Sequence, residues 1–418
     1  MAFLYALGSI NSPESHGMKK PRNSLLDPTY GTEGIAYPHE VITQIKGTLR
    51  TADGLIGTGL RFLDGDMAEY VLFRLNSTTG ALDKTFGTNG LSTGFIDNQS
   101  FSTGDKVVLL EDGRFLMLGH VIDDAWQYHW YLTRFDANGN LDTQFGTQGH
   151  TKIVIPIQRT KAEQRRNATA REANISIASH GNGTYVCYES RGLAGVIKYD
   201  ADGQHDSSFA NNGFLEVSSG PLGFTAPLSL HADSDGLLIG ISSHPNGLEG
   251  PSREGVARVS HKGEFDKAFG EGGFAFIDEA QRTHYLTVLS DKRIILPIWA
   301  GSEQKLFALD KGGKPDTDFN SSNLKYSQFS DCHIDHINAT HEIVVIGQRT
   351  SATQIETYVG KFLPNGDIDN RFAESGWGLV STDINLVGSL NVQPDGNTTI
   401  NGQMGPFPMR GFSLRLLT

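Results

Sequence analysis

Apolar and polar residues alternate along this chain in short runs, and the runs are separated by turns rich in Gly, Asp and Asn. A period of two is the signature of a strand that buries one face. The stretch after LDKTFGTNG, which begins at Leu82, shows the plan. Its pattern predicts strand A near Leu91–Ile96, strand B near Lys106–Leu110, strand C near Arg114–His120 and strand D near Tyr131–Phe135, in one four-stranded blade. Asp112-Gly113 between B and C is a hairpin signal. It recurs as Asp53-Gly54, Asn182-Gly183, Asp235-Gly236 and Asp395-Gly396, with Asp291-Lys292 and Thr340-His341 in the two remaining copies.

The LDKTFGTNG motif itself recurs seven times, aligned on Asp27/Tyr30, Asp83/Phe86, Asp142/Phe145, Asp206/Phe209, Asp266/Phe269, Asp316/Phe319 and Asp369/Phe372. Successive Asp positions lie 56, 59, 64, 60, 50 and 53 residues apart. Units of this length, made of short strands, predict an all-β fold, a seven-bladed β-propeller of four-stranded blades over residues 25–418. Residues 1–24 form an N-terminal extension whose apolar segment Phe3–Leu7 is either a ring-closing strand or a tail.

Strand D carries a second regularity. Its equivalent position is Arg74, Arg134, Lys198, Arg258, Ala308, Lys361 and Arg415, basic in six of seven copies, and an apolar residue follows each time. A cation among apolar neighbours needs a partner. The spacing pairs Arg74 with Asp83, Arg134 with Asp142, Lys198 with Asp206, Arg258 with Asp266 and Lys361 with Asp369, and pairs Arg415 with Asp27 across the ring closure. Asp316, opposite Ala308, is expected to lack a partner. The competing reading is that the repeated Asp residues bind calcium, but Gly-containing turns account for all seven copies, so no cofactor is expected.

Composition adds bounds. Gly numbers 49, hydrophobic residues are 38 % and charged residues 20 %, which suits a turn-rich β protein. A net charge of −12 argues against general binding to nucleic acid or to an anionic membrane. Cys187 and Cys332 fall in different units, and the first residues lack the basic region of a secretory signal. The expectation is a cytoplasmic protein, with export by a route that needs no secretory signal as the alternative.

If strands alternate in direction, the short D–A and B–C turns share one face of the ring and the irregular A–B and C–D connections share the other. Variable loops on a rigid scaffold are where binding residues collect, so the second face is the candidate working face. One A–B connection is enlarged by residues 158–174, whose Arg165, Arg166 and Arg171 suit a carboxylate or phosphate. One C–D connection holds Trp126, Tyr128 and Trp130 at alternate positions beside Asp123, Asp124 and His129, a pattern that suits stacking on a sugar ring. Packing between blades is the plain alternative for these aromatics. The central channel offers His231, His333, Asp335 and His336 as acid/base groups or ligands of a channel metal.

The recurring L-D-x-x-F-G-x-x-G, the turn at Gln393-Pro394-Asp395-Gly396 and the strand from Tyr131 to Phe135 resemble the bacterial delta-sixty repeat, a β-propeller family. The resemblance covers residues 25–418 and implies architecture and a bacterial origin, with no catalytic residues. It departs at Ala210, Asn320 and Ala373, which follow the aromatic residue in place of Gly, and at Tyr30. The functional expectation is a ligand-binding propeller that recognises a carbohydrate or a protein surface through the A–B/C–D face. The alternatives are a hydrolase, lyase or isomerase using the channel, and a protein-interaction scaffold.

Overall fold

The computed structural model describes residues 25–63, 67–97, 101–154, 175–190, 193–217, 224–244, 253–278, 280, 285–325, 331–350, 354–405 and 409–418. All regular structure among them is strand, arranged as a seven-bladed β-propeller of antiparallel sheets. Among the described residues no helix is long and apolar enough to cross a membrane. Phe3–Leu7 lies outside the described residues.

Blade one runs from axis to rim as Gln44–Thr51, Gly54–Phe62, Ala68–Leu75 and Leu91–Gly94. Blade two runs as Ser102–Leu109, Phe115–Ile122, Tyr128–Phe135 and His150–Lys152. Blades three to seven begin with Ile175–His180, Phe224–Asp233, Thr287–Val288, Asp331–His336 and Ile384–Val392. Among the described residues blade five has three strands, and the bridge between Lys305 and Asn323 stands where a fourth would pair.

The order within each sheet corrects the expectation that one repeat unit is one blade. Strand A of each unit is hydrogen-bonded to strand D of the unit before it, so repeats and blades are out of phase. Strand B is therefore the innermost, and first strands of neighbouring blades contact one another around the axis. The same offset closes the ring: Ile35–Ala36, strand A of the first unit, pairs with Arg410–Leu416, strand D of the last. Main-chain bonds from Asp27 N–H to Arg415 O (2.9 Å) and from Leu417 N–H to Leu25 O (2.8 Å) extend that seam.

Apolar residues sit in the gaps between blades. Ile56, Leu72 and Phe86 meet Phe115, Met117 and Tyr131 between blades one and two, and the other gaps are filled in the same way. The motif aromatic is the pin of each gap. Phe86 is fully buried, Arg74 lies over its ring at 5.1 Å, and Gly139 of the next blade's D–A turn closes over it. The residue after the aromatic donates its N–H to a carbonyl of that next turn: Gly31 to Thr79 (2.8 Å), Gly87 to Asn138 (2.7 Å), Gly146 to Asp202 (3.1 Å), Ala210 to Lys262 (2.7 Å), Gly270 to Gly312 (2.8 Å) and Asn320 to Asn365 (2.6 Å). Ala210 and Ala373 hold φ 45° where four other copies use Gly, so these two turns keep the left-handed step despite the substitution. Tyr30 replaces Phe because its hydroxyl bonds Ser413 at 2.7 Å across the closure; burial pushes that hydroxyl up to about 12.

The D–A connections carry ion pairs in most blades. Arg74–Asp83 (2.7 Å), Arg134–Asp142 (2.8 Å), Lys198–Asp206 (2.7 Å) and Arg415–Asp27 (2.9 Å) are in contact. Two expected pairs are replaced. Arg258 lies over Phe269 and donates to the Lys311 carbonyl rather than to Asp266, and Lys361 reaches Glu342 (3.4 Å) while Asp369 takes Arg371 (2.8 Å). Asp316 also departs from expectation, since Arg293 from the B–C turn approaches it at 3.6 Å. For Lys361 and Asp316 a charge from the B–C turn, Glu342 or Arg293, changes the local balance. The motif carboxylates serve their own turns as well, as when Asp83 accepts the Thr85 N–H at 2.9 Å.

Gly139 has φ +83°, and a Cβ there would lie 2.4 Å from the Phe86 ring. Gly139→Ala should therefore lower the unfolding free energy by about 2 kcal/mol or more, combining left-handed strain with overpacking. Denaturant titration measures this, and a loss below roughly 0.5 kcal/mol would show that the gap tolerates a methyl group.

Asp27 and Arg415 keep only 7 % and 5 % of their side chains exposed. Burial opposes the charge on Asp27, but bonds from Thr29 and the Arg415 charge prevail and hold its carboxyl below the usual range. A folded-state value below the unfolded one stabilises above about pH 4, and that contribution disappears as pH falls through the folded value. Asp27→Asn should cost about 2–3 kcal/mol at pH 7. In thermal melts the gap between variant and parent should narrow as pH falls below the ordinary carboxylate range, and a gap independent of pH would exclude the carboxylate as its source.

Candidate axial site

The inner strands are where sequence and geometry conflict most. A strand facing its neighbours across an apolar gap does not welcome a charge, yet Lys46 and Asp105 both sit on one. The ladder explains how: registers shift between Ile45 and Gly47 in blade one and between Gly104 and Lys106 in blade two, so Lys46 and Asp105 are each the extra residue of a β-bulge. Bulges re-aim a side chain out of the normal alternation. Here they turn the two charges toward each other, and Gly47 permits the approach, since a Cβ there would lie 2.5 Å from the Asp105 carbonyl oxygen.

Lys46 Nζ lies 2.8 Å from Asp105 Oδ1, and His120 Nδ1 lies 2.7 Å from Asp105 Oδ2. His120 comes from the second strand of blade two, opposite Trp130 in the ladder. Its ring is flanked by Tyr128 at 5.1 Å and Trp130 at 4.8 Å. Burial works against the charge of Asp105, but the Lys46 ammonium and the His120 bond prevail and hold the carboxyl below its ordinary range. Lys46 keeps 24 % and Asp105 17 % of the side chain exposed, against 8 % for His120. The two ions are thus the groups a ligand can touch, with His120 orienting the carboxylate behind them.

The expected aromatic shelf is not a single surface. Trp126 is 79 % exposed at the tip of the C–D hairpin, with φ 58°, while Trp130 is buried in the gap between blades two and three. Tyr128 is half-buried beside His120. Asp123 and His129 bond each other at 2.8 Å and brace the hairpin. Arg165, Arg166 and Arg171 lie outside the described residues.

The channel histidines are largely committed to structure. His336 is bonded at both ring nitrogens, to Thr287 (3.0 Å) and Asn338 (2.8 Å). His333 is buried and stacks on Tyr285 at 4.8 Å. Asp335 accepts main-chain N–H groups of His336 and Val392, both at 2.8 Å, and burial pushes its carboxyl up. Burial holds His231 down against the pull of Asp233, 3.8 Å away. Among the described residues no three His, Cys, Asp or Glu side chains gather as a metal site would require.

Sequence reasoning missed Lys46, Asp105 and His120. The available signal was a charge beside a glycine within an inner strand, Lys46-Gly47 and Gly104-Asp105, because glycine inside a strand often marks a bulge or close approach. Larger hollows lie away from the axis. One of about 830 Å³ runs along the rim beside Asp97, Tyr131, His150 and Lys152, where Tyr131 donates to Asp97 at 2.6 Å and His150 bonds Thr133 at 2.9 Å. Another, of about 410 Å³, opens on the short-turn face.

Residues 111–145 match a family described as a domain of unknown function (DUF5122) beta-propeller. No curated protein matches the chain. Among solved structures it is similar to polysaccharide lyase Uly1, at TM-score 0.48 and 12 % identity over 96 % of this chain and 94 % of that one. It is similar also to puromycin hydrolase, at TM-score 0.49 and 12 % identity over 88 % of this chain and 52 % of that one. Prolyl oligopeptidase B from Galerina marginata gives TM-score 0.43 and 10 % identity, over 87 % and 47 %. At these scores no activity is transferred.

An ionised Asp105 only accepts hydrogen bonds, so His120 must donate from Nδ1. Nitrogen NMR of the imidazole should show the Nδ1–H tautomer when His120 is neutral. The Nε2–H tautomer would break the proposed chain from Lys46 to His120.

Proposed function

We propose that this propeller binds a carbohydrate at the axial end of blades one and two, on the face that carries the A–B and C–D connections. The observation that carries this reading is the bulge-directed array Lys46–Asp105–His120 beside Tyr128. A sugar hydroxyl both donates and accepts, so it suits an ammonium and a carboxylate held side by side. An aromatic face beside them suits the C–H side of a pyranose ring. Trp126, exposed on the same hairpin, extends the surface toward a longer chain.

A second reading, an acid/base enzyme at the same place, is favoured by one detail. Among the described residues nothing bonds His120 Nε2, and a histidine held by a carboxylate at Nδ1 presents a basic nitrogen there. The low exposure of His120 favours binding over turnover.

A glycan array followed by calorimetry on the best hit tests the proposal. Saturable binding is expected, weakened about tenfold or more by Asp105→Asn and by Lys46→Met, since each removes a charged hydrogen bond. Trp126→Ala should weaken longer glycans more than short ones. Absence of any saturable glycan, or binding indifferent to both axial variants, would remove the axial array as a carbohydrate site. Product formation from a bound glycan, abolished by His120→Gln with binding retained, would select the enzyme.

A further inference from the structure

On the short-turn face, four of the seven blade interfaces are joined by a guanidinium among the described residues. Arg134 Nη1 donates to the Ala201 carbonyl in the D–A turn of the next blade, Arg258 to Lys311 (2.8 Å) and Arg415 to Thr78 (3.3 Å). Blade five lacks the basic residue on its D strand, yet Arg293 from its B–C turn supplies the same bond, to Pro364 at 2.8 Å. Among the described residues the interface between blades three and four lacks this bond, as do those after Arg74, which pairs with Asp83, and after Lys361, which reaches Glu342. Between blades three and four the D-strand cation is Lys198, whose ammonium pairs with Asp206 at 2.7 Å, and the B–C turn contributes Gly183 where blade two has Arg114.

The cavity of about 410 Å³ lies at this interface. Lys198, Asp206 and His261 border it, and they are the counterparts of Arg134, Asp142 and Ala201. His180 and His261 form one wall, stacked at 4.7 Å with 7° between their planes. His261 is held rigidly, with Nδ1 3.0 Å from the Tyr185 hydroxyl and Nε2 donating to the Asp233 carbonyl at 2.7 Å. Asp200 and Asp202 add carboxylates to the lining, although Asp200 Oδ1 already accepts two main-chain N–H groups of its own turn. With Lys198 neutralised by Asp206, the lining is acidic.

We propose that this cavity is a binding site for a guanidinium group supplied by a ligand, in the place where other interfaces use an arginine of their own. The planar cation would stack on His180, turn its N–H fork toward the carboxylates and the His261 carbonyl, and bridge blades three and four as Arg134 bridges two and three. Planarity and five donors distinguish guanidinium from ammonium, so the site should prefer arginine to lysine. It is independent of the axial site and faces the other way.

Calorimetry and imidazole NMR test this with L-argininamide, L-lysinamide and a short peptide with one central arginine. Argininamide or the peptide should bind more tightly than lysinamide and shift the His180 and His261 signals. Binding of argininamide points to a small guanidino compound, and binding of the peptide alone points to an arginine on a protein partner. Lys198→Arg builds the missing guanidinium into the chain, so it should raise the melting temperature and weaken the ligand about tenfold. His180→Ala should weaken the ligand without filling the cavity. Equal affinity for argininamide, the peptide and lysinamide would overturn the proposal. So would affinity unchanged in both variants.

Discussion

Six of the seven blades share one contact among the described residues, the seating of a buried aromatic beside a turn of the next blade. A four-stranded sheet of this size cannot bury both faces alone, so its stability resides in the gaps it shares. The aromatic fills the gap, a cation covers the ring in blades one, two and four, and a main-chain bond from the following residue fixes the distance between blades. Because the bond is made by the backbone, the motif tolerates Ala210 and Asn320 in place of Gly. What those copies share is the backbone N–H that reaches the next turn.

The same arrangement explains why the two faces differ. Turns on one face are committed to the blade-to-blade joint and vary little. Connections on the other face carry no such duty, so they are free to lengthen, and inner strands can bulge toward that end. The Lys46–Asp105–His120 array rests on this freedom, with two bulges and one glycine bringing opposite charges together at the axis.

Much of the architecture was legible in the sequence because it repeats. Seven copies of one motif set blade number, hairpin positions and the recurrence of Arg opposite Asp. What the repeat hid was its own phase: alignment on Asp and Phe cannot tell which sheet an A strand joins, since A follows D with equal regularity in either case. The site was less legible for a related reason. Trp126 and Trp130 look alike in an alternating string, yet one ends a hairpin in solvent and the other fills a gap. Lys46, Asp105 and His120 come from three strands of two blades, and their meeting depends on bulges that only the ladder reveals. Exchanges such as Glu342 for the counterpart of Arg114 were readable singly, but their compensation is spatial.

Closure by Ile35–Ala36 against Arg410–Leu416 has a kinetic consequence. Contacts between adjacent blades are local and can form as the chain emerges, but the seam joins residues separated by 388 positions at Asp27 and Arg415. Loop closure over that distance is entropically slow compared with hairpin formation. Until residues 410–416 exist, blade one and the growing end each present an uncovered flank, and a chain in that state is exposed to pairing with another copy. The ring is therefore a structure whose first and last strands must wait for each other, and its vulnerability to misassembly is concentrated in that interval of synthesis.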